Sequence, residues 1–338
     1  MTKKRILVTG GAGYIGSHTC VEMIESGRDP ILLDNFTGSD RSVPEKIGRI
    51  TGKYPETIDF DCCDGKFPEL FSENDKISGV IHFAAFKSVS ESYSDPLGYY
   101  ANNINSTINV LKAMKAGKIS YLIFSSSATV YGTPDTLPIG EDAALKIPAS
   151  PYGKTKFICE DIILDYAAQN PDFRFIILRY FNPIGAHPSY LIGENPQGIP
   201  NNLVPVVTQT AIGKLPKLII YGDDYDTPDG TCIRDFIHVS DLARAHIMAI
   251  NYLENGGASD FFNVGTGKGT SVMEIIRIFE AISGKKINYE IGPRRQGDVV
   301  AIWANCEKVT TALGWKSRYT VEDAIGHAWA WEQSNLSR

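Results

Sequence analysis

Short, almost uniformly apolar runs alternate with longer stretches in which apolar residues recur every three or four positions. The runs are Arg5 to Thr9, Pro30 to Asp34, Thr57 to Asp61, Gly79 to Ala84, Ser120 to Ser126 and Arg174 to Tyr180. Each is bounded by Gly, Ser, Asp or Asn and lacks an in-out alternation, which predicts strands buried on both faces. Between them, Tyr14 to Ser26, Pro96 to Lys115 and Pro151 to Gln169 carry helical spacing, and the last two open on Pro at a first helical position. Strands alternating with helices predict an α/β fold built on a doubly wound parallel sheet.

The texture changes near Tyr180. Asn182 to Pro205 is rich in Gly, Pro and Asn, as expected of a loop-rich second domain. Asp235 to Tyr252 again has the pattern of a short strand and a helix. The expected division is therefore residues 1–180, with 235–255 returning to them, and a smaller α/β substrate domain over 181–338.

Composition narrows the function. The 338 residues are 43% hydrophobic and 21% charged, enough for two folded domains at about 150 residues each. A net charge of −6, with no basic run beyond Lys3-Lys4-Arg5, argues against a nucleic-acid partner. No apolar run approaches the about 18 residues of a membrane span, and the apolar segment after the first basic residues is too short for a signal peptide, so no membrane partner and a cytoplasmic location are expected. The cysteines at 20, 62, 63, 159, 232 and 306 show no repeated CxxC spacing and are expected reduced and mostly buried. The histidines form no HxxxH or HExxH pair, and no metal is expected.

Two motifs carry chemistry. Ile6 to Gly16 runs from a strand through Gly10, Gly13 and Gly16 into a helix. Glycine there permits a tight turn and close approach to a pyrophosphate, and the helix start favours the phosphate charge, as in a Rossmann nucleotide site. Beyond it the second strand ends in Asp34, placed to accept ribose hydroxyls and to repel a 2'-phosphate, which favours NAD over NADP. Asp61 ends the third strand, followed by Cys62, where an adenine edge would fall, and Phe83-Ala84-Ala85 closes the fourth with small residues that let a cofactor lie on the backbone.

The second motif is Tyr152-Gly153-Lys154-Thr155-Lys156, which sets Tyr152 and Lys156 on one helical face. The ammonium is expected to lower the phenol's pKa, and a nicotinamide cation would add to that, making Tyr152 a proton acceptor. With 16 tyrosines in the chain, one such spacing arises by chance about once. Position gives it weight: Ser125 to Thr129 ends the fifth strand just before this helix, so the Ser127 hydroxyl and the phenol can converge.

Gly10 to Gly16, SSSATVY at Ser125 to Tyr131, YGKTK at Tyr152 to Lys156 and RYFN at Arg179 to Asn182 resemble the extended short-chain dehydrogenase/reductase family. The stretches GAHPS and NPQGIPNNL between Asn182 and Leu203, YDTPDGTCIRDFIH at Tyr225 to His238 and PRRQGD at Pro293 to Asp298 are similar to the members that invert C4 of UDP-hexoses. The resemblance spans about Lys4 to Trp331. It implies an NAD site lined by Tyr14, Ile15, Asp34, Asn35, Asp61, Cys62, Phe83, Ala84, Ala85, Lys87, Asn102 and Phe181, with Tyr152 and Lys156 also touching the cofactor. It implies a UDP-hexose held by Asn182, Asn202, Leu203, Tyr221, Arg234, Arg295 and Asp298, with Ser127 at the reacting hydroxyl. The chemistry of those residues suits the ligand: guanidinium for diphosphate, an aromatic platform for uracil, a carboxylate for ribose.

The implied reaction takes the sugar through a 4-keto form with NAD regenerated in each cycle, in a homodimer paired through the helices Pro96 to Lys115 and Pro151 to Gln169. Two other readings share the scaffold. A nucleotide-sugar 4,6-dehydratase would need an Asp-Glu pair after Ser127, where this chain has Ala128 and Thr129, and a dinucleotide-sensing regulator would normally have lost Tyr152 or Lys156. Ile302 stands where many such epimerases carry Tyr and others a small residue, which leaves 2-acetamido sugars open as substrates.

Overall fold

The computed structural model describes residues 5–71, 76–295 and 297–336. Lys3, Lys4 and Gln296 of the motifs above lie outside the described residues. Strands β1 (Arg5–Thr9), β2 (Pro30–Asp34), β3 (Glu56–Asp59), β4 (Ile77–His82), β5 (Tyr121–Ser127) and β6 (Arg174–Tyr180) alternate with helices. These are α1 (Tyr14–Glu25), α2 (Val43–Thr51), α3 (Val89–Ser94), α4 (Pro96–Ala116) and α5 (Pro151–Ala168). The central sheet has seven strands, in the order Asp260–Val264, β6, β5, β4, β1, β2, β3. β1 pairs in parallel with both β2 and β4, β2 with β3, and β4 with β5. Strand order reverses between β1 and β4, where open α/β sheets place their ligands.

Several expectations about the strands change. β3 ends at Asp59 rather than Asp61 and is mostly exposed, because it is the edge of the sheet. The seventh strand, Asp260–Val264, does not stand out in the hydrophobic pattern, since Asp260 and Asn263 interrupt its apolar run. β4 spans Ile77–His82, two residues earlier than Gly79 to Ala84, so Phe83 and Ala84 follow it; the buried character is as expected, every residue of β2 and β4 being buried. Leu7, Leu33, Val80, Met114, Phe124 and Ile163 belong to one continuous core cluster.

The helices start where the sequence caps them. Asp95 accepts from the Gly98 amide, Ser150 accepts from the Gly153 amide at 3.0 Å, and Pro96 and Pro151 occupy the first helical positions. Of the six cysteines, all free, Cys20, Cys62 and Cys159 are buried and the other three are half-buried.

The chain divides into two compact units, the first formed by Met1–Tyr131, Leu145–Arg179 and Ala243–Phe262. The returning segment thus begins at Ala243, not at 235, because Phe236–His238 pairs with Asn182–Ile184 in the second unit. Residues 132–144 also belong to the second unit, where Ile139 bridges to Ala304.

In that second unit, Leu218–Tyr221 pairs with Tyr289–Gly292, and Ile233–Arg234 lies between Thr270–Ser271 and Ala301–Ile302. Its core gathers Ile184, Val207, Ile276, Phe279, Ile325 and Trp329. Residues 185–202 are largely irregular, as their Gly and Pro content implies.

One buried titratable group ties β4 to its neighbours. His82 Nδ1 is 2.7 Å from Thr9 Oγ1 on β1, and Nε2 is 3.4 Å from Thr107 Oγ1 on α4. Burial, with the Lys156 ammonium adding, pushes its pKa down to about 3. An unfolded imidazole protonates near pH 6.5, so between about 6.5 and 3 the unfolded state holds the extra proton and stability is lost as pH is lowered. At pH 5 this costs about 2 kcal/mol. In urea titrations, the stability gap between wild type and His82→Gln should therefore shrink by about that amount from pH 7 to pH 5; a gap independent of pH would contradict it.

Candidate active site

The turn from β1 to α1 is built by close backbone approach. Gly10 has φ +67°, and a Cβ there would lie 2.7 Å from the Ala84 nitrogen. A Cβ on Gly16 would collide with the Gly10 carbonyl oxygen, whereas one on Gly13 would have only that oxygen near it, at 3.1 Å. Gly13 caps α1 without a side-chain hydrogen bond. A helix start approached by glycine backbone and capped by no side chain is what a pyrophosphate requires.

Around this turn the expected cofactor residues take definite places. Tyr14 and Ile15 open α1. Asp34 is buried at the end of β2, accepting from the Ala12 amide through Oδ2 and from the Phe36 amide and Ser39 hydroxyl through Oδ1. The Asn35 amide donates to Asp61 at 3.0 Å, and the Cys63 amide caps the same carboxylate at 2.7 Å. Asn109 donates to the Cys62 carbonyl, while the Cys62 thiol is buried. Phe83 packs on His246, Ser106 donates to the Ala84 carbonyl, and Ala85 is half-buried. Lys87 Nζ lies 5.7 Å from the centre of the Tyr14 ring, and the Asn102 amide donates to Asn103. Phe181 is buried but belongs to the second unit, its amide donating to the Val264 carbonyl.

The chemical centre lies where β5 meets α5. Lys156 is buried, and its Nζ donates to the Ser125 carbonyl at 2.8 Å and sits 5.0 Å above the Phe124 ring. Burial pushes the ammonium down to about 8, while Cys159 and Glu160 act in the opposite direction. The Tyr152 phenol is buried against the Ser127 hydroxyl, whose own oxygen accepts from the Thr129 amide at 3.2 Å.

Here the structure corrects the sequence reading. Burial raises the Tyr152 phenol to about 12, and the group that opposes this is Ser127, not Lys156. The ammonium is committed to the Ser125 carbonyl, and the phenol is governed by the cost of taking a phenolate out of water.

Sequence reasoning missed the groups beneath this centre. Arg179 makes a two-pronged contact with Glu160, Nε to Oε1 at 3.1 Å and Nη2 to Oε2 at 2.6 Å, and donates to the Tyr131 hydroxyl. Ser125 Oγ meets His246 Nε2 at 3.0 Å. The available signal was a charged residue on a buried helical face: Glu160 follows Lys156 by one turn.

In the second unit, five of the expected substrate residues come together. Arg234 and Ile302 are register partners on adjacent strands, and Ile302 is 7% exposed. Asp298 lies between two guanidinium groups, 3.4 Å from Arg234 Nη2 and 3.6 Å from Arg295 Nε. The Arg295 guanidinium stands 4.5 Å over the Tyr221 ring, while its neighbour Arg294 is engaged with Asp224 and Tyr225. Asn182 donates its amide to the Asp235 carbonyl. Asn202 is engaged elsewhere, with Glu194 at 2.6 Å, and Leu203 starts the helix Leu203–Ala211.

The sheet, the glycine turn and the buried Tyr-Lys pair define a dinucleotide-dependent centre of the short-chain dehydrogenase/reductase class. Residues 6–265 match the NAD dependent epimerase/dehydratase family, and the chain belongs to it. It is 48% identical over 332 residues to a UDP-glucose 4-epimerase of Dictyostelium discoideum, covering 98% of this chain and 96% of that one. A solved UDP-glucose 4-epimerase from Stenotrophomonas maltophila, with bound NAD and formylated UDP-arabinopyranose, is 44% identical with a TM-score of 0.95, covering 99% of each chain. Another from Bifidobacterium longum, in complex with NAD+ and UDP, has the same identity and TM-score over 98% of this chain and 99% of that one.

Gly16→Ala places a methyl group against the Gly10 carbonyl, so the turn must open. We expect dinucleotide affinity, measured by calorimetry, to fall by about tenfold or more. Unchanged affinity would contradict the cradle.

Proposed function

We propose that this protein interconverts UDP-glucose and UDP-galactose by inverting C4, with NAD on the turn Gly10 to Gly16 and the nucleotide end of the substrate held by Arg234, Arg295 and Asp298. The observation that carries this is the buried Tyr152-Ser127 contact at the carboxyl end of β5, with Lys156 one turn along the same helix. Bound NAD supplies a reversible two-electron oxidant for C4 and a positive charge that brings the phenol into working range.

This chain's residues do the rest. Tyr152 takes the 4-hydroxyl proton and later returns it. Ser127, whose oxygen is occupied by the Thr129 amide, turns its own hydrogen toward the phenol oxygen and stabilises the phenolate. Lys156 holds the end of β5 and keeps a positive charge near the phenol. Arg234 and Arg295 carry the diphosphate charge, Tyr221 offers uracil a platform once Arg295 turns to the phosphates, and Asp298 accepts from ribose. Strong contacts thus fall on the nucleotide end, which leaves the 4-keto sugar free to turn over between the two half-reactions.

Ile302 has no phenol to fill the site, so 2-acetamido sugars are included as secondary substrates; Ile302→Tyr narrows that range. The working form is a cytoplasmic homodimer paired through α4 and α5. In support, these helices pack together and carry partly exposed Ile104, Ile108, Phe157, Ile158 and Leu164; sedimentation should return twice the monomer mass.

The decisive assay follows UDP-galactose with the purified protein. UDP-glucose is expected without net NADH, and a stable 4-keto-6-deoxy sugar would instead indicate the dehydratase reaction. Tyr152→Phe should keep NAD and lose about 10²- to 10⁴-fold in kcat; near-normal turnover would remove Tyr152 as the base.

A further inference from the structure

Three consecutive residues of β5 each hold a different residue on one face of α5. Ser127 meets Tyr152, the Ser125 carbonyl accepts from Lys156, and the Ser126 hydroxyl donates to Glu160 Oε1 at 2.5 Å. Tyr152, Lys156 and Glu160 are spaced by four, so they lie one above another. Glu160 and Arg179 are only 2% and 4% exposed.

The carboxylate has little freedom to move. Oε1 takes the Ser126 hydroxyl and Arg179 Nε, and Oε2 takes Arg179 Nη2. Arg179 is fixed in turn by the Tyr131 hydroxyl and by the faces of Tyr131 and Phe261, 5.0 and 4.7 Å from its guanidinium carbon. Bidentate pairs of this kind specify orientation, and a buried ion pair contributes less to stability than its distances suggest, because both partners lose water.

We infer that Glu160 is a positioning residue for the catalytic pair: clamped by Arg179 and Ser126, it locks α5 in register with β5 and keeps a negative charge one turn from the Lys156 ammonium. The inference deepens the proposed epimerase function and rests on it for the roles of Tyr152 and Lys156. The groups facing that ammonium are Cys159 and Glu160 on its own helix, the Ser125 carbonyl and Phe124 ring on β5, and His82 on β4. His82 is neutral above about pH 3 and the Cys159 thiol is raised by burial, so the Glu160 carboxylate, ion-paired with Arg179, is the anion in this set that favours the ammonium.

The test titrates Lys156 in the full chain carrying ¹³Cε-lysine, with its signal assigned by Lys156→Met, and does not depend on turnover. Wild type should titrate near 8 without added NAD, and Glu160→Gln should titrate about one pH unit lower or more. In the active protein, the alkaline limb of kcat should move down by the same interval while KM for UDP-galactose stays within about twofold. A role limited to stability would lower the melting temperature and leave both titrations in place, and that result would overturn the inference.

Glu160→Gln strands the Arg179 charge, so Glu160→Gln/Arg179→Met, which removes both charges, is measured in parallel; Glu160 but not Arg179 acts on Lys156, so the double variant should also titrate below wild type, and an unmoved Lys156 titration there would overturn the inference. If wild type fails to epimerise while Lys156 still shifts, the functional reading fails and the positioning role of Glu160 stands. If wild type epimerises and Lys156 does not shift, the reverse holds.

Discussion

A primary ammonium buried beneath a helix must find an acceptor, and Lys156 finds it in a main-chain oxygen, that of Ser125 at 2.8 Å. Because the acceptor is backbone, the bond fixes the end of a strand against a helix and not merely one side chain against another. The local sequence prepares this contact. Ser150 caps α5 and Pro151 starts it, which sets the phase of the helix before any tertiary contact forms. Once that phase is set, Tyr152 comes to Ser127, and the chemistry of the centre follows from the burial they share.

The same economy of backbone shapes the nucleotide side. Gly10 and Gly16 bring strand, turn and helix so close that a methyl group on either would collide with main-chain atoms. What that closeness leaves open is the start of α1, where the helix dipole can meet negative charge. Asp34 stands at the end of the neighbouring strand, its orientation held by the Ala12 amide. The second unit balances charge differently, with Asp298 shared between Arg234 and Arg295. Guanidinium groups compensated in this way are available to a diphosphate without being left as bare charges.

Much of this was legible in the sequence because it is local. Strands buried on both faces, helices opened by Pro, the glycine turn and the four-residue spacing of Tyr152 and Lys156 are all properties of short windows. What escaped depends on neighbours distant in the chain. Asp260–Val264 is a strand because β6 offers it an edge, not because its sequence is apolar. Glu160 was visible as a charge on a buried face, but its partner Arg179 is 19 residues away, and only the adjacency of β5 and β6 brings them together. The expected depression of the Tyr152 pKa failed for a related reason: sequence reveals a nearby charge but not the burial that opposes it.

In the proposed reaction Tyr152 handles the proton of the 4-hydroxyl, while the hydrogen on C4 leaves and returns without meeting water. Conversion of UDP-galactose in D₂O, with the product examined by proton NMR, tests this directly. UDP-glucose carrying its full complement of carbon-bound hydrogen at C4 and C5 is the expected result. Deuterium at C4 would mean exchange with solvent, and deuterium at C5 would mean proton removal next to a ketone; either would contradict the roles of Tyr152 and Ser127 in this reaction.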